Sequence, residues 1–351
     1  MRRKALVTML ELIKPALADQ DLVPVYQNFV FTGDTLYATD DHLGIVAKCT
    51  SGVAPFACHG DTMLGLLRNC RTEEVEIEFD DQQHEVVFIA GRSKMRLPYL
   101  PESEFLFKEP SDESWDVVLD LDDSLIEAME ICLTTTSKDS SQQALMGITL
   151  DTGDGISFYS CDSDSLTHYL IDGANYNDPH SFVMPNSFCE SVLRICKSDK
   201  SMNGRLHASD EWVLAELEKD YKVYGRVIKP EDPVDHAMWV EKTTRDEIPW
   251  MKVPKGLEHA LSRARVVAEP KSQPTEISIK EGRMRLYTNT DMGEVRDLVN
   301  LQGDHPDVEI KVNAALMARS IDVCSEMAVL EGFTVYRKGA DLFQILSNFG
   351  D

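Results

Sequence analysis

Leu36-Tyr37-Ala38-Thr39-Asp40 is a short apolar strand running into a polar turn that ends in aspartate. The same pattern returns at Phe158-Tyr159-Ser160-Cys161-Asp162 and at Leu286-Tyr287-Thr288-Asn289-Thr290-Asp291. Each copy follows a turn signal, Gly33-Asp34, Gly153-Asp154-Gly155 or Glu281-Gly282, and each is trailed by an apolar helical stretch ending in cysteine, at Cys70, Cys196 and Cys324. The Asp-to-Cys spacings are 30, 34 and 33. Three matches at similar spacing indicate an internal repeat, which decides the fold before any single element does. In a chain of 351 residues, three copies make three ordinary-sized domains. We place them at 1–110, 111–248 and 249–351.

Within each domain the hydrophobic period alternates between helix and strand. In the first, Leu6, Met9, Leu10, Ile13 and Leu17 line one face of a helix over 4–18, with Pro15 kinking or ending it. Strands are expected at 25–32, 35–39 and 44–49, then a helix over 61–70 capped by Asp61, then strands at 75–79, 85–90 and 94–99. The second domain expects a strand at 115–119, helices over 123–135 and 186–197, and strands at 144–150, 156–161, 167–171, 204–208, 211–218 and 222–228. The third expects helices over 255–267 and 313–324, with strands at 276–280, 283–288, 295–300, 328–330, 334–337 and 342–346. The acidic segment 101–114 and the proline-containing 229–250 read as linkers. The class is α+β, with two helices per domain packed on antiparallel sheets.

The chain carries 35 Lys+Arg against 60 Asp+Glu, a formal charge of −25, with 43% hydrophobic residues. That apolar content suits folded cores. Eight cysteines sit singly without CxxC spacing, as free thiols of a reducing compartment would. No run approaches the ~18 apolar residues of a membrane span, and Glu11 and Lys14 break the apolar start after Met1-Arg2-Arg3-Lys4, so neither a signal peptide nor a membrane partner is expected. A cytoplasmic protein is expected. Uniform negative charge would repel a polyanion, but the charge is uneven. The helical stretches 1–18, 58–71, 122–138, 186–200, 254–271 and 313–324 hold 15 basic and 11 acidic residues, leaving −29 on everything else. Only 122–138 is itself acidic. Basic residues scattered one or two to a helix suit sequence-independent phosphate contact rather than base reading. Solvated helix faces have the same composition, and charge alone leaves both readings open.

These residues resemble the bacterial sliding clamp, the beta subunit of DNA polymerase III. Leu12-Ile13-Lys14-Pro15, Val23-Pro24-Val25, Ala38-Thr39-Asp40, Asn69-Cys70-Arg71 and Gly91-Arg92-Ser93-Lys94-Met95-Arg96-Leu97 carry the likeness in the first third. Leu145-Met146-Gly147-Ile148 and Cys161-Asp162 carry it in the second, and Leu261-Ser262-Arg263-Ala264 and Val312-Asn313 in the third. The resemblance implies three tandem clamp domains forming half of a ring, a head-to-tail homodimer around double-stranded DNA, a DNA polymerase and a clamp loader as partners, and no cofactor, metal or catalytic residue. It implies DNA contact at Arg71 and Arg194, to which the charge distribution adds Lys14, Arg68, Lys197, Arg263 and Arg265. It implies a peptide cleft of Leu145, Leu166, Pro233, Met238, Phe333 and Leu346, and a dimer contact of Val266 and Val267 on one side and Phe105 on the other.

Several positions depart from the family pattern. Gln20 replaces an arginine of the loop before Pro24, and Asp139 a glutamine before Gly147. Ser163-Asp164-Ser165 stands where Gly-His-Arg is usual, and Ser347-Asn348-Phe349-Gly350-Asp351 where the family ends Met-Pro-Met. Asp40-Asp41-His42 and Cys58-His59-Gly60-Asp61 have metal-ligating or acid–base residue types, but acidic turns and helix caps account for them. The competing reading is an acidic DNA mimic that occupies a basic partner; the basic helices favour the clamp.

Overall fold

The computed structural model describes residues 1–20, 23–80, 82–110, 115–153, 155–171, 179–198, 203–218, 220–243, 248–268, 274–303, 305–330 and 332–349. Among these lie seven α-helices and four antiparallel sheets, so the α+β reading holds. The helices are α1 (Arg3–Ile13), α2 (Gly60–Asn69), α3 (Asp123–Leu133), α4 (Asn186–Ser198), α5 (His236–Thr243), α6 (Leu257–Val267) and α7 (Ala314–Val323). Two compact units result, one of Met1–Ile126 with Met184–Ile228, the other of Glu127–Val183 with Lys229–Asp351. No helix among the described residues is long and apolar enough to cross a membrane.

The repeated aspartate turn is a physical device. In the first unit Asp40 Oδ1 accepts from His42 N at 2.9 Å and Leu43 N at 2.7 Å. In the second, Asp162 Oδ1 accepts from Asp164 N at 2.9 Å and Ser165 N at 2.7 Å. A short carboxylate that bonds the backbone two and three residues on reverses the chain tightly and sets the register of the hairpin. The third copy keeps the other half of the turn: Thr290 Oγ1 accepts from Met292 N as Thr39 Oγ1 accepts from Asp41 N.

Each of the two large sheets joins strands from distant parts of the chain. The first runs Phe56–His59, Asn28–Phe31, Thr35–Thr39, Leu43–Lys48, Tyr221–Arg226, Trp212–Leu217, Gly204–Ala208, Val117–Leu121. Its seam is the pairing of Leu43 with Gly225 and Ala47 with Tyr221. The second runs Ser181–Pro185, Gly147–Asp151, Ile156–Cys161, Ser165–Ile171, Leu342–Ser347, Phe333–Lys338, Glu326–Val329, Met251–Lys252, with its seam at Ser165 opposite Leu346. Two smaller sheets remain. One is Glu76–Asp80, Glu85–Ala90, Ser93–Pro98; the other is Gly293–Asn300, Arg283–Thr290, Thr275–Lys280, Val308–Val312.

Helices cover one face of the sheets. In the first unit Leu6, Leu10 and Ile13 of α1, one turn apart, are buried, as are Met63, Leu64 and Leu67 of α2 and Phe188, Val192 and Ile195 of α4. Arg3 ties α1 to the end of α2, donating from Nε to Thr72 O at 2.8 Å and from Nη1 to Leu67 O at 3.1 Å. The strand beneath α4 needs Gly225, because a Cβ there would stand 2.8 Å from Phe188 Cβ. In the second unit Leu257, Leu261 and Ala264 of α6 meet Ala314 and Met317 of α7 over Ile277, Met284 and Leu286. Asn313 caps α7, its Oδ1 accepting from Ala315 N and Leu316 N.

Several expectations are corrected. Pro24 turns the start of the first expected strand into a 3-10 turn over Pro24–Gln27, since its fixed φ and missing N–H suit a turn start. The cap of α2 is His59, whose Nδ1 accepts from Thr62 N at 3.4 Å, and Asp61 lies inside the first turn. The expected linker 229–250 contains α5, and its residues 244–247, like 111–114 of the other linker, lie outside the described residues. Strands Ser181–Pro185, Val308–Val312 and Met251–Lys252 were absent from the sequence reading. All eight cysteines are free thiols.

Candidate nucleic-acid face and partner cleft

The structure brings three of the proposed DNA contacts together in the first unit. Lys14 at the end of α1, Arg68 in the last turn of α2 and Arg194 on α4 line one shallow groove with Thr8, Glu11, Leu12 and Ser198. Two of the three are held by carboxylates. Lys14 Nζ lies 2.6 Å from Asp61 Oδ1, and Arg68 Nη2 lies 2.9 Å from Glu11 Oε1. The Lys14 ammonium, donating to Asp61, holds that carboxyl below its ordinary pKa. These exposed pairs are weak and exchangeable. Arg71 lies exposed just beyond α2, and Lys197 follows Arg194 by one turn of α4.

In the second unit Arg263 and Arg265 project from α6, both exposed. Arg263 makes a two-pronged pair with Asp297, at 3.0 and 2.6 Å, so its fork is occupied by the neighbouring strand. Among the described residues no carboxylate bridges Arg71, Arg194 or Arg265. The sequence reading missed Arg319 on α7. It donates to Thr134 O and lies close enough to Arg265 and Asp162 to feel both charges, while burial lowers its pKa. Its signal was the single cation of a mostly apolar helix.

The expected peptide cleft is partly assembled. Leu145, Leu166 and Phe333 line a groove of about 340 Å³ together with Val234, Trp239 and Ile345, over an apolar floor of Cys161, Ala328 and Val335. Pro233 instead lines an adjoining cavity with Thr149, Asp151, Tyr159 and His236. Met238 is exposed on α5 and is not among the lining residues. Leu346 points the other way. It is buried in the helix-side core, and Ile345 takes the cleft side, because successive side chains of a strand face opposite ways. Trp239 is the other residue missed; it stands on a helix where a linker was expected.

That helix is anchored by a ring stack. Tyr159 lies between His168 and His236, with centroids 4.5 and 5.1 Å away and planes within 8° and 7° of parallel. His236 Nε2 is 3.3 Å from Thr149 Oγ1 and His168 Nε2 is 3.1 Å from Ser157 Oγ. Burial pushes the pKa of both imidazoles down to about 4; for His168 the nearby His236 adds to the effect, and for His236 Asp235 and Asp151 oppose it. Both rings are therefore neutral at pH 7.

Of the expected dimer contacts, Val266 is 81% exposed at the end of α6; among other exposed apolar side chains of this unit are Met292, in the turn after Thr290, at 76% and Leu298, on strand Gly293–Asn300, at 55%. Val267 is half-buried beside Gly293. Phe105 packs on the outer face of the first sheet with Phe107 and Tyr224's cluster, whereas its neighbour Leu106 is 53% exposed.

Comparison of the whole chain with solved structures decides the fold. It covers 100% of this chain and 98% of the Thermotoga maritima DNA polymerase III beta subunit, with a TM-score of 0.84 and 20% identity. The fold is that of the bacterial sliding clamp. The DNA polymerase III subunit beta of Pseudomonas aeruginosa gives a TM-score of 0.84 at 15% identity, over 99% of this chain and 98% of that one. The sliding clamp of Caulobacter crescentus gives 0.85 at 18% identity, over 100% and 99%. No protein-family model and no curated protein matches the chain by sequence.

Proposed function

We propose that the protein is a divergent DNA polymerase processivity clamp, a ring that encircles double-stranded DNA and tethers a polymerase without chemistry of its own. The observation that carries this reading is the clamp fold over the full length of the chain, with little of it left over. Three domains, at 1–110, 111–248 and 249–351, would each supply two helices to the DNA-facing side. Arg71, Arg194 and Arg265 would meet phosphates directly, Lys14, Arg68 and Arg263 after exchanging their carboxylates, and Lys197 would join them from α4. A clamp loader and a polymerase would dock in the groove of Leu145, Leu166 and Phe333, with Pro233, Met238 and the Leu346 strand at its margin.

The sheet edges support closure by a second copy. Both large sheets are completed by a seam between a strand that follows an aspartate turn and the last strand of a later repeat. The strand that follows the third turn, Gly293–Asn300, ends its sheet, as does Ser93–Pro98 in the first repeat. An end strand that carries the exposed Leu298, in a unit that also exposes Met292 and Val266, calls for cover. The same seam between Gly293–Asn300 of one chain and Ser93–Pro98 of another would close a two-fold, head-to-tail ring, with Val266 and Val267 facing the segment around Phe105.

The test is the solution mass at micromolar concentration with negative-stain images of the same sample, followed by retention on circular DNA. A dimer with a central hole, held on a DNA circle and lost when the circle is cut, is the expected result. A closed-up monomer that binds linear and circular DNA alike would overturn the reading.

A further inference from the structure

We infer that the partner cleft selects a peptide carrying lysine or arginine beside its apolar anchor; this rests on the proposed role of the groove as the partner-docking site. The groove is apolar at its base, but among the described residues both charged side chains on its lining are carboxylates, Asp162 and Asp164. No cation stands among the described lining residues. Asp162 is committed to its turn, with Oδ1 accepting from Asp164 N, Ser165 N and Ser165 Oγ, and it shares its field with Arg319. Asp164 is different. Its side chain is exposed and meets no cation among the described residues, and its backbone is pinned because Ser347 N donates to Asp164 O at 2.8 Å. A fixed turn therefore holds an unspent negative charge at the mouth of an apolar groove.

Charge complementarity commits the occupant. An apolar side chain entering against Phe333 and Trp239 brings its neighbours to the rim, where a cation gains and a carboxylate is repelled. A unit charge about 6 Å from a carboxylate in water-like surroundings alters affinity about threefold, so exchanging lysine for glutamate there alters it about tenfold. Added salt shrinks the difference. Selection of this kind rejects acidic competitors as much as it attracts basic ones.

The experiment uses the full-length protein and three end-blocked, dye-labelled peptides of sequence X-Ser-Leu-Phe-Ser-X, with X lysine, glutamine or glutamate, read by fluorescence anisotropy in low and high salt. The expected order of affinity is lysine, glutamine, glutamate, with about tenfold between the extremes at low salt. Asp164→Asn should cut that ratio to about threefold or less while leaving the glutamine peptide unchanged, and Phe333→Ser should weaken all three. Equal affinities for the three peptides, all lost in Phe333→Ser, overturn the charge selection and leave the cleft standing. Absence of binding by every peptide, or binding indifferent to Phe333→Ser, overturns the cleft and the selection together.

Discussion

Acidification should loosen the second unit through two histidines. His168, buried, and His236, half-buried, sandwich Tyr159, and each has a pKa near 4 in the fold against 6.5 in an unfolded chain. A depressed pKa means that the unfolded chain takes up the proton more readily. The stability is thus intact above pH 6.5 and is lost progressively as pH falls from 6.5 toward 4. At pH 5 the linkage amounts to about 2 kcal/mol for each ring, or roughly 4 kcal/mol for the pair. This is a large share of the ~5–15 kcal/mol that holds a typical domain. The control is the double variant His168→Gln and His236→Gln, because glutamine can reach Ser157 and Thr149 but does not titrate. Urea midpoints at pH 7.5, 6.5, 5.5 and 5.0, converted with m-values measured at each pH, give the two stability profiles. The parent's profile should fall more steeply than the variant's between pH 6.5 and 5, with the gap widening by several kcal/mol. Parallel profiles over that window would refute the reasoning, since they would mean that neither ring is held neutral by burial.

Other perturbations bear on the first unit. Removing the Arg3 fork by Arg3→Ala should cost about 1–2 kcal/mol in urea unfolding, because two carbonyls at the end of α2 lose a charged donor. Gly225→Ala should cost about 1–3 kcal/mol in the same assay, as α4 must shift off the strand to clear the Phe188 Cβ. Replacing Arg71 and Arg194 by glutamine should flatten the salt dependence of DNA binding by about 0.9 per lost phosphate contact. An unchanged slope would remove both residues from the interface.

Much of this molecule was legible because its repeat is written in turn chemistry. The aspartates of Asp40 and Asp162 bond the same two backbone amides, and strands Thr35–Thr39, Glu85–Ala90, Ile156–Cys161 and Gly204–Ala208 fall where alternation places them. What escaped was local in sequence but tertiary in cause. The helix α5 hides in a proline-rich stretch of weak amphipathicity, and its anchor, His236, has meaning only against Tyr159 and Thr149. Val308–Val312 alternates properly but is short and follows Pro306, so a pairing partner, Thr275–Lys280, was needed to reveal it. On the cleft wall a one-residue difference separates Leu346 from Ile345; two adjacent aliphatics leave the facing of a strand undecided until the core is known. The cationic positions were legible as types, whereas the carboxylates that hold Lys14, Arg68 and Arg263 come from other elements.

The seam between Leu43–Lys48 and Tyr221–Arg226 also has a meaning for biosynthesis. At about 5–20 residues per second, the first of these strands emerges from the ribosome on the order of ten to forty seconds before its partner exists. During that interval its backbone amides and carbonyls form an unmated ladder beside Phe29, Leu36 and Ile45. Nascent chains on one polysome would be poised to pair with each other. The alternating carboxylates of Glu76–Asp80, translated soon afterward, and the acidic stretch 101–114 add like charge to each such chain, and like charge opposes that pairing.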